Sequence, residues 1–132
     1  MENNSDNLRI INVWATWCGP CVAEFGELVD TYRMCMGRDF EMYTISTDKT
    51  ENIEKVKEFL EDKNAALDNN FIFGTENKYD LIENLDSEWP GQIPCTVIVE
   101  PGGKVVWRNS GGLNFLEFRR AIVGHPLIGR YF

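Results

Sequence analysis

The most constraining feature of this chain is a handover from one period to another. Arg9-Ile10-Ile11-Asn12-Val13-Trp14 is a nearly continuous apolar, β-branched run, and it leads within a few residues into Cys18-Gly19-Pro20-Cys21 and a helical pattern. Such a run reads as a strand buried on both faces. From Cys18 to Met36 the residues Cys21, Phe25, Leu28, Tyr32 and Cys35 recur at steps of four, three, four and three, one apolar stripe, and Gly37 ends the helix. Two cysteines are thereby set at the start of a helix. There the free backbone N–H groups and the macrodipole favour a thiolate at Cys18, and the thiolate is the form that attacks a disulfide. Cys21 falls one turn inside, on the stripe, shielded and suited to resolve a mixed disulfide. Pro20 is tolerated because the first turn has no partner for its N–H, and it stiffens the loop. Trp17 can cover the pair. A zinc site needs about four ligands, usually from two such pairs. The chain has no second pair and His125 is its only histidine, so no metal is expected.

The remaining pattern gives the fold class. Phe40 to Thr47 reads as a second strand. Asp48 with Glu51 has capping-box spacing before a helix whose Ile53, Val56 and Leu60 share a face. Phe71 to Phe73 reads as a short strand and Tyr79 to Leu85 as a short helix. Cys95–Glu100 and Lys104–Asn109 form a hairpin across Pro101-Gly102-Gly103. Asn114 with Glu117 caps a last helix, whose Phe115, Phe118 and Ile122 face inward before Gly124 and Pro126 stop it; the tail after it is apolar enough to pack back. Strands alternating with helices give a parallel segment, and the hairpin adds an antiparallel edge. The expectation is one α/β domain over residues 1–132.

Composition narrows the partners. A net charge of −8 repels phosphate backbones and anionic lipids, so neither nucleic acid nor a membrane surface is an expected partner. No apolar run approaches the ~18 residues that cross a bilayer. Met1 to Asn7 is short and polar, neither a signal peptide nor an anchor. Four cysteines are too few for a disulfide-stapled scaffold.

Val13-Trp14-Ala15-Thr16-Trp17-Cys18-Gly19-Pro20-Cys21 resembles the active-site segment of thioredoxins, and more closely that of the bacterial TlpA/ResA-type disulfide reductases. Asn12 stands where thioredoxins carry a buried Asp, and Glu24 matches the buried Glu of the TlpA/ResA type. Ile93-Pro94-Cys95 and the residues on to Val106 are similar to the cis-proline loop and following hairpin of that family. The resemblance implies a thioredoxin-like fold, a central mixed sheet (parallel β-α-β plus antiparallel hairpin) flanked by helices. It also implies a thiol–disulfide oxidoreductase, a reductase of protein disulfides through a mixed disulfide on Cys18 that Cys21 resolves. Glu24, half-buried one turn beyond Cys21, would have a raised pKa and take the Cys21 proton; the plainer reading is a surface glutamate in a first helical turn. Pro94 would be cis and face the cysteine pair, the Ile93 backbone would bond a substrate strand, and Trp17, Gly19 and Pro20 would complete the substrate surface. The implied cofactor is none beyond the redox-active disulfide. The implied partners are a disulfide-containing protein and an upstream thiol donor, for a monomer working outside the bacterial cytoplasm.

Family domains of this type carry a few tens of residues, including a hairpin, before the motif strand. Here about seven precede it, so a cropped or abbreviated domain is expected, with any membrane anchor upstream. Cys95 stands where the family more often has Thr: a third redox thiol beside the site or, as buried cysteines commonly are, a small core residue. Cys35 is ~21 Å along the helix from Cys21 and reads as core. Trp89 and Pro90 could rim a substrate groove or cap the core, Gly111 and Gly112 suit a close backbone approach or a simple turn, and His125 reads as structural or exposed. The rival functions are an oxidase or isomerase using the same pair, a peroxidase, and a binding module that docks partners along Ile93–Pro94. A peroxidatic cysteine has Pro and Thr placed upstream in a motif that Ala15-Thr16-Trp17-Cys18 does not match.

Overall fold

The computed structural model of the chain describes residues 6–35, 37–63, 70–72 and 91–129. Strand β1 (Leu8–Trp14) leads into helix α1 (Gly19–Cys35), which is followed by β2 (Phe40–Ser46). A 3₁₀ turn (Thr50–Asn52) opens α2 (Ile53–Asp62), and β3 (Asn70–Ile72) follows. Beyond these lie the hairpin β4 (Cys95–Val99) and β5 (Val105–Ser110), then α3 (Phe115–Val123) and the single turn α4 (Pro126–Gly129). The sheet order is β3-β2-β1-β4-β5. β2 runs parallel to both β1 and β3, whereas β4 is antiparallel to both β1 and β5. This is the mixed α/β sheet that the periodicity implies.

The apolar run of β1 is continuous because both of its faces are covered. Leu8 and Ile10 pack with Met42 and Ile98 against Leu28 and Cys35 of α1, Phe118 and Ile122 of α3 and Ile128 of α4. Ile11 and Val13 face the other way, into a second buried cluster with Cys95, Val97 and Val99. Fully burying a side chain of this size contributes roughly 1.5–3 kcal/mol. A third cluster lies behind the cysteine motif, where the Trp14 ring sits 4.6 Å from Phe25 and 5.1 Å from Phe59, with Val56 and Leu60 of α2 beside them.

The helix ends show which local signals act. Gly37 takes φ 88°, the left-handed conformation that ends α1. Asn114 Oδ1 accepts the Glu117 N–H at 3.2 Å and caps α3. Pro126, expected only as a stop, opens α4, where the first turn has no use for its missing N–H.

Two expectations about α2 fail. Neither Lys49 before the 3₁₀ turn nor Asn52 before the helix makes a side-chain cap, and Asp48 does not join a capping box, because its carboxylate is engaged by residues of β2 and of the turn after β1. Ile53 is 36% exposed, since as the first residue of the helix it lies outside the Trp14–Phe25 cluster that receives Val56, Phe59 and Leu60. The expected helix over Tyr79–Leu85, together with Phe73, Trp89 and Pro90, lies outside the described residues.

Candidate active site

Residues Ala15 to Cys18 turn the chain from β1 into α1, and the Cys18 N–H closes this turn on the Ala15 carbonyl at 3.2 Å. Helix α1 starts at Gly19, so Pro20 occupies its first turn. The Cys21 N–H donates to Cys18 Sγ at 3.3 Å, one of the orphan donors of a helix start aimed at a sulfur. Such a donor favours the ionised form of the atom that accepts it. Cys18 and Cys21 are joined as a disulfide, with Cα atoms 5.3 Å apart. The outer cysteine retains 6% exposure and the inner one is buried; Trp17 beside them is 68% exposed. Access to the pair is therefore through Cys18.

The segment before β4 lies beside the cysteine pair. The Ile93–Pro94 peptide bond is cis. Val13 pairs with Cys95, so this loop lies where β1 gives way to the motif. Ile93 packs against both the cluster containing Cys18 and Cys21 and the cluster on the far face of the sheet. Gly111 donates its N–H to the Pro94 carbonyl at 2.7 Å; a Cβ there would meet nothing within 4 Å, so its φ of 94° marks a turn rather than a close approach. The Cys95 side chain is buried in the far-face cluster with Ile11, Val13 and Val97 and remains a thiol, an environment that fits a core residue. Cys35 is likewise a buried thiol, with its pKa raised by burial.

Glu24 and Asp48 are the buried carboxylates among the described residues. Glu24 is 8% exposed, one helical turn beyond Cys21. Its Oε2 accepts the Leu113 N–H at 3.1 Å, while its Oε1 is buried without a partner. Burial lifts its pKa from 4.5 to about 7; the Leu113 N–H opposes the rise and the nearby Glu27 charge adds to it. A carboxyl so poised can hold or release a proton near neutrality. Asp48 accepts from Thr16 and Ser46 instead. Asn12 donates from Nδ2 to Thr96 Oγ1 at 3.0 Å, a buried pair between β1 and β4 that carries no titratable proton.

Sequence reasoning did not find Leu113, whose contribution is a backbone N–H and leaves no mark in residue type. Nor did it find the grip of Asp48 on Thr16. His125 proves to be structural: its Nδ1 accepts from Leu127 N–H at 3.2 Å and its Nε2 lies 3.2 Å from Glu100 Oε2, tying α4 to the end of β4. Among the described residues, no group of three or more His, Cys, Asp or Glu side chains is arranged to hold a metal ion, and no helix is long and apolar enough to cross a membrane.

Comparison with known proteins gives consistent results. The model of the AhpC/TSA family matches residues 2–108. The thiol-disulfide oxidoreductase ResA of Oceanobacillus iheyensis is 29% identical over 96 residues, which are 73% of this chain and 45% of that protein. ResA of Bacillus subtilis is 25% identical over 96 residues, 73% of this chain and 49% of that protein. The chain thus spans about half the length of these curated relatives. A crystal structure of a thiol:disulfide interchange protein of the thioredoxin family from Chlorobium tepidum matches with a TM-score of 0.72 at 21% identity, over 96% of this chain and 80% of that one. The fold is thioredoxin-like.

Proposed function

The chain belongs to the AhpC/TSA family, and from that premise we propose that it is a thiol–disulfide oxidoreductase working as a reductase of protein disulfides. The observation that carries the proposal is the Cys18 sulfur at the start of α1, accepting the Cys21 N–H and bonded to Cys21. In the reduced protein the Cys18 thiolate attacks one sulfur of a substrate disulfide. A mixed disulfide forms, and the first substrate thiolate leaves and takes up a proton. Cys21 gives its proton to Glu24, directly or through water, and its thiolate attacks Cys18 Sγ. The Cys18–Cys21 disulfide forms and the second substrate thiolate departs. Two electrons and two protons from an upstream dithiol then restore the reduced pair.

The substrate meets exposed Trp17, the Gly19–Pro20 turn and the Ile93 backbone, where an extended segment can bond beside Pro94. The Gly-Pro pair between the cysteines is similar to that of reducing thioredoxins, whose potential is about −270 mV, against about −120 mV for a strong oxidant. The likeness to TlpA/ResA-type domains extends the proposal to a single-domain monomer acting outside the bacterial cytoplasm, with no cofactor beyond the disulfide.

Two measurements test this reading. Cys21→Ser should accumulate mixed disulfides on Cys18 with protein partners, and Cys18→Ser should accumulate none. Equilibration with glutathione should give a reducing potential; a value near that of a strong oxidant would reassign the pair to disulfide formation. Failure to trap any partner, with full cellular function retained by Cys18→Ser, would leave a binding module.

A further inference from the structure

Thr16, two residues ahead of Cys18, is held twice by one carboxylate. Its N–H donates to Asp48 Oδ2 at 3.0 Å and its hydroxyl to Asp48 Oδ1 at 2.6 Å. The Ser46 hydroxyl donates to the same Oδ2 at 2.5 Å, and the Asp48 N–H donates back to Ser46 Oγ at 3.0 Å. Two residues before Thr16 and one before Asp48, the Thr47 N–H and hydroxyl both donate to the Trp14 carbonyl, at 2.8 and 3.2 Å. The exits of β1 and β2 are thus tied at two places, Trp14 to Thr47 and Thr16 to Asp48, and a buried carboxylate with both oxygens occupied makes the second tie. Thr16 is the second residue of the Ala15–Cys18 turn. Fixing one residue's backbone costs conformational entropy, and a two-point grip on Thr16 offsets that cost before any substrate arrives.

We infer that Asp48 is a positioning residue for Cys18: through Thr16 it holds the Ala15–Cys18 turn so that the Cys18 sulfur stays against the Cys21 N–H and Trp17 stays outside. The inference rests on the reading of Cys18 as nucleophile. Asp48 touches no reacting atom and acts through Thr16. Its charge alone would act the other way, because a nearby carboxylate disfavours a thiolate. Position and charge therefore predict opposite signs.

The experiment is the pH dependence of Cys18 alkylation by iodoacetamide in the reduced full chain, in a Cys21→Ser background so that Cys18 is the accessible thiol. Thr16→Val keeps the Asp48 charge and removes only the hydroxyl donor. Asp48→Asn removes the charge and sets an amide NH₂ in place of one of the two oxygens that accept from Thr16. Glu24, the other buried carboxylate among the described residues, is unchanged in both. A loosened turn weakens the hydrogen bond to the thiolate, so the alkylation midpoint should rise by about half a pH unit or more in each variant. Urea unfolding of the same proteins reports stability separately. An unmoved midpoint in Thr16→Val beside a lowered unfolding midpoint would make Asp48 a support of the fold only, and a lowered alkylation midpoint in Asp48→Asn would make it a charge effect; either overturns the inference. Should Asp48→Asn not fold, Thr16→Val decides. Insulin-disulfide reduction by the wild type is run alongside: its absence would sink the proposed function, while the midpoint shift would still report the grip on the turn.

Discussion

Two carboxylates are buried within a short distance in sequence of the same motif or its partner strand, and they are satisfied to opposite degrees. Asp48 has donors on both oxygens from Thr16 and Ser46. Glu24 has one donor, the Leu113 N–H, and a second oxygen that is buried and unpartnered. A carboxylate with donors on both oxygens is a structural tie. One that is half engaged carries an unmet desolvation cost, which a proton relieves. Burial alone does not separate a clamp from a proton carrier; the completeness of hydrogen bonding does.

The contrast can be broken by four measurements. The largest effect is expected for Glu24→Gln on turnover: a fall of about a hundred-fold, with loss of the pH dependence centred near 7, in steady-state disulfide reduction. An unchanged pH profile would return Glu24 to a structural role. Next is its effect on stability. The folded protein holds the Glu24 proton more tightly than the unfolded chain, with a pKa near 7 against 4.5. The stabilisation from that proton is complete below pH 4.5, declines as pH rises, and is lost above about 7, some 3 kcal/mol in all. Urea unfolding of Glu24→Gln should lack that slope and approach or exceed the wild type at pH 8. Asp48→Ala strands three donors and should destabilise by about 2 kcal/mol at pH 7. Ser46→Ala removes one donor of the three and should cost about 1 kcal/mol; a loss equal to that of Asp48→Ala would mean that the carboxylate and the hydroxyl act as one unit.

What was legible in the chain was what neighbours in sequence can encode. The two-sided burial of β1, the stripe from Cys21 to Cys35, the stop at Gly37, the Asn114 cap and the Cys18–Cys21 pair are each written within a few residues. Asp48 was misread for the same reason. Its spacing to Glu51 is that of a capping box, but its carboxylate is claimed by Thr16, from the far side of α1 and β2. Ile53 fits the helical face by phase and yet misses the core, because phase says nothing of where a neighbouring cluster ends. The Leu113 contact to Glu24 is a backbone donor from a loop that follows β5, and no side-chain pattern announces it.

The antiparallel pairing of β1 with β4 has a consequence for how such proteins are cut and recombined. The end of the first strand and the beginning of the fourth meet at one end of the sheet, so the cysteine pair and the loop beside it come from distant stretches of one polypeptide. A fragment stopping before Ile93 would carry every atom of the cysteine motif and none of the loop that packs beside it. Under the proposed function, grafting the tetrapeptide onto another scaffold would move the cysteine pair without the Ile93 side chain that packs on its cluster.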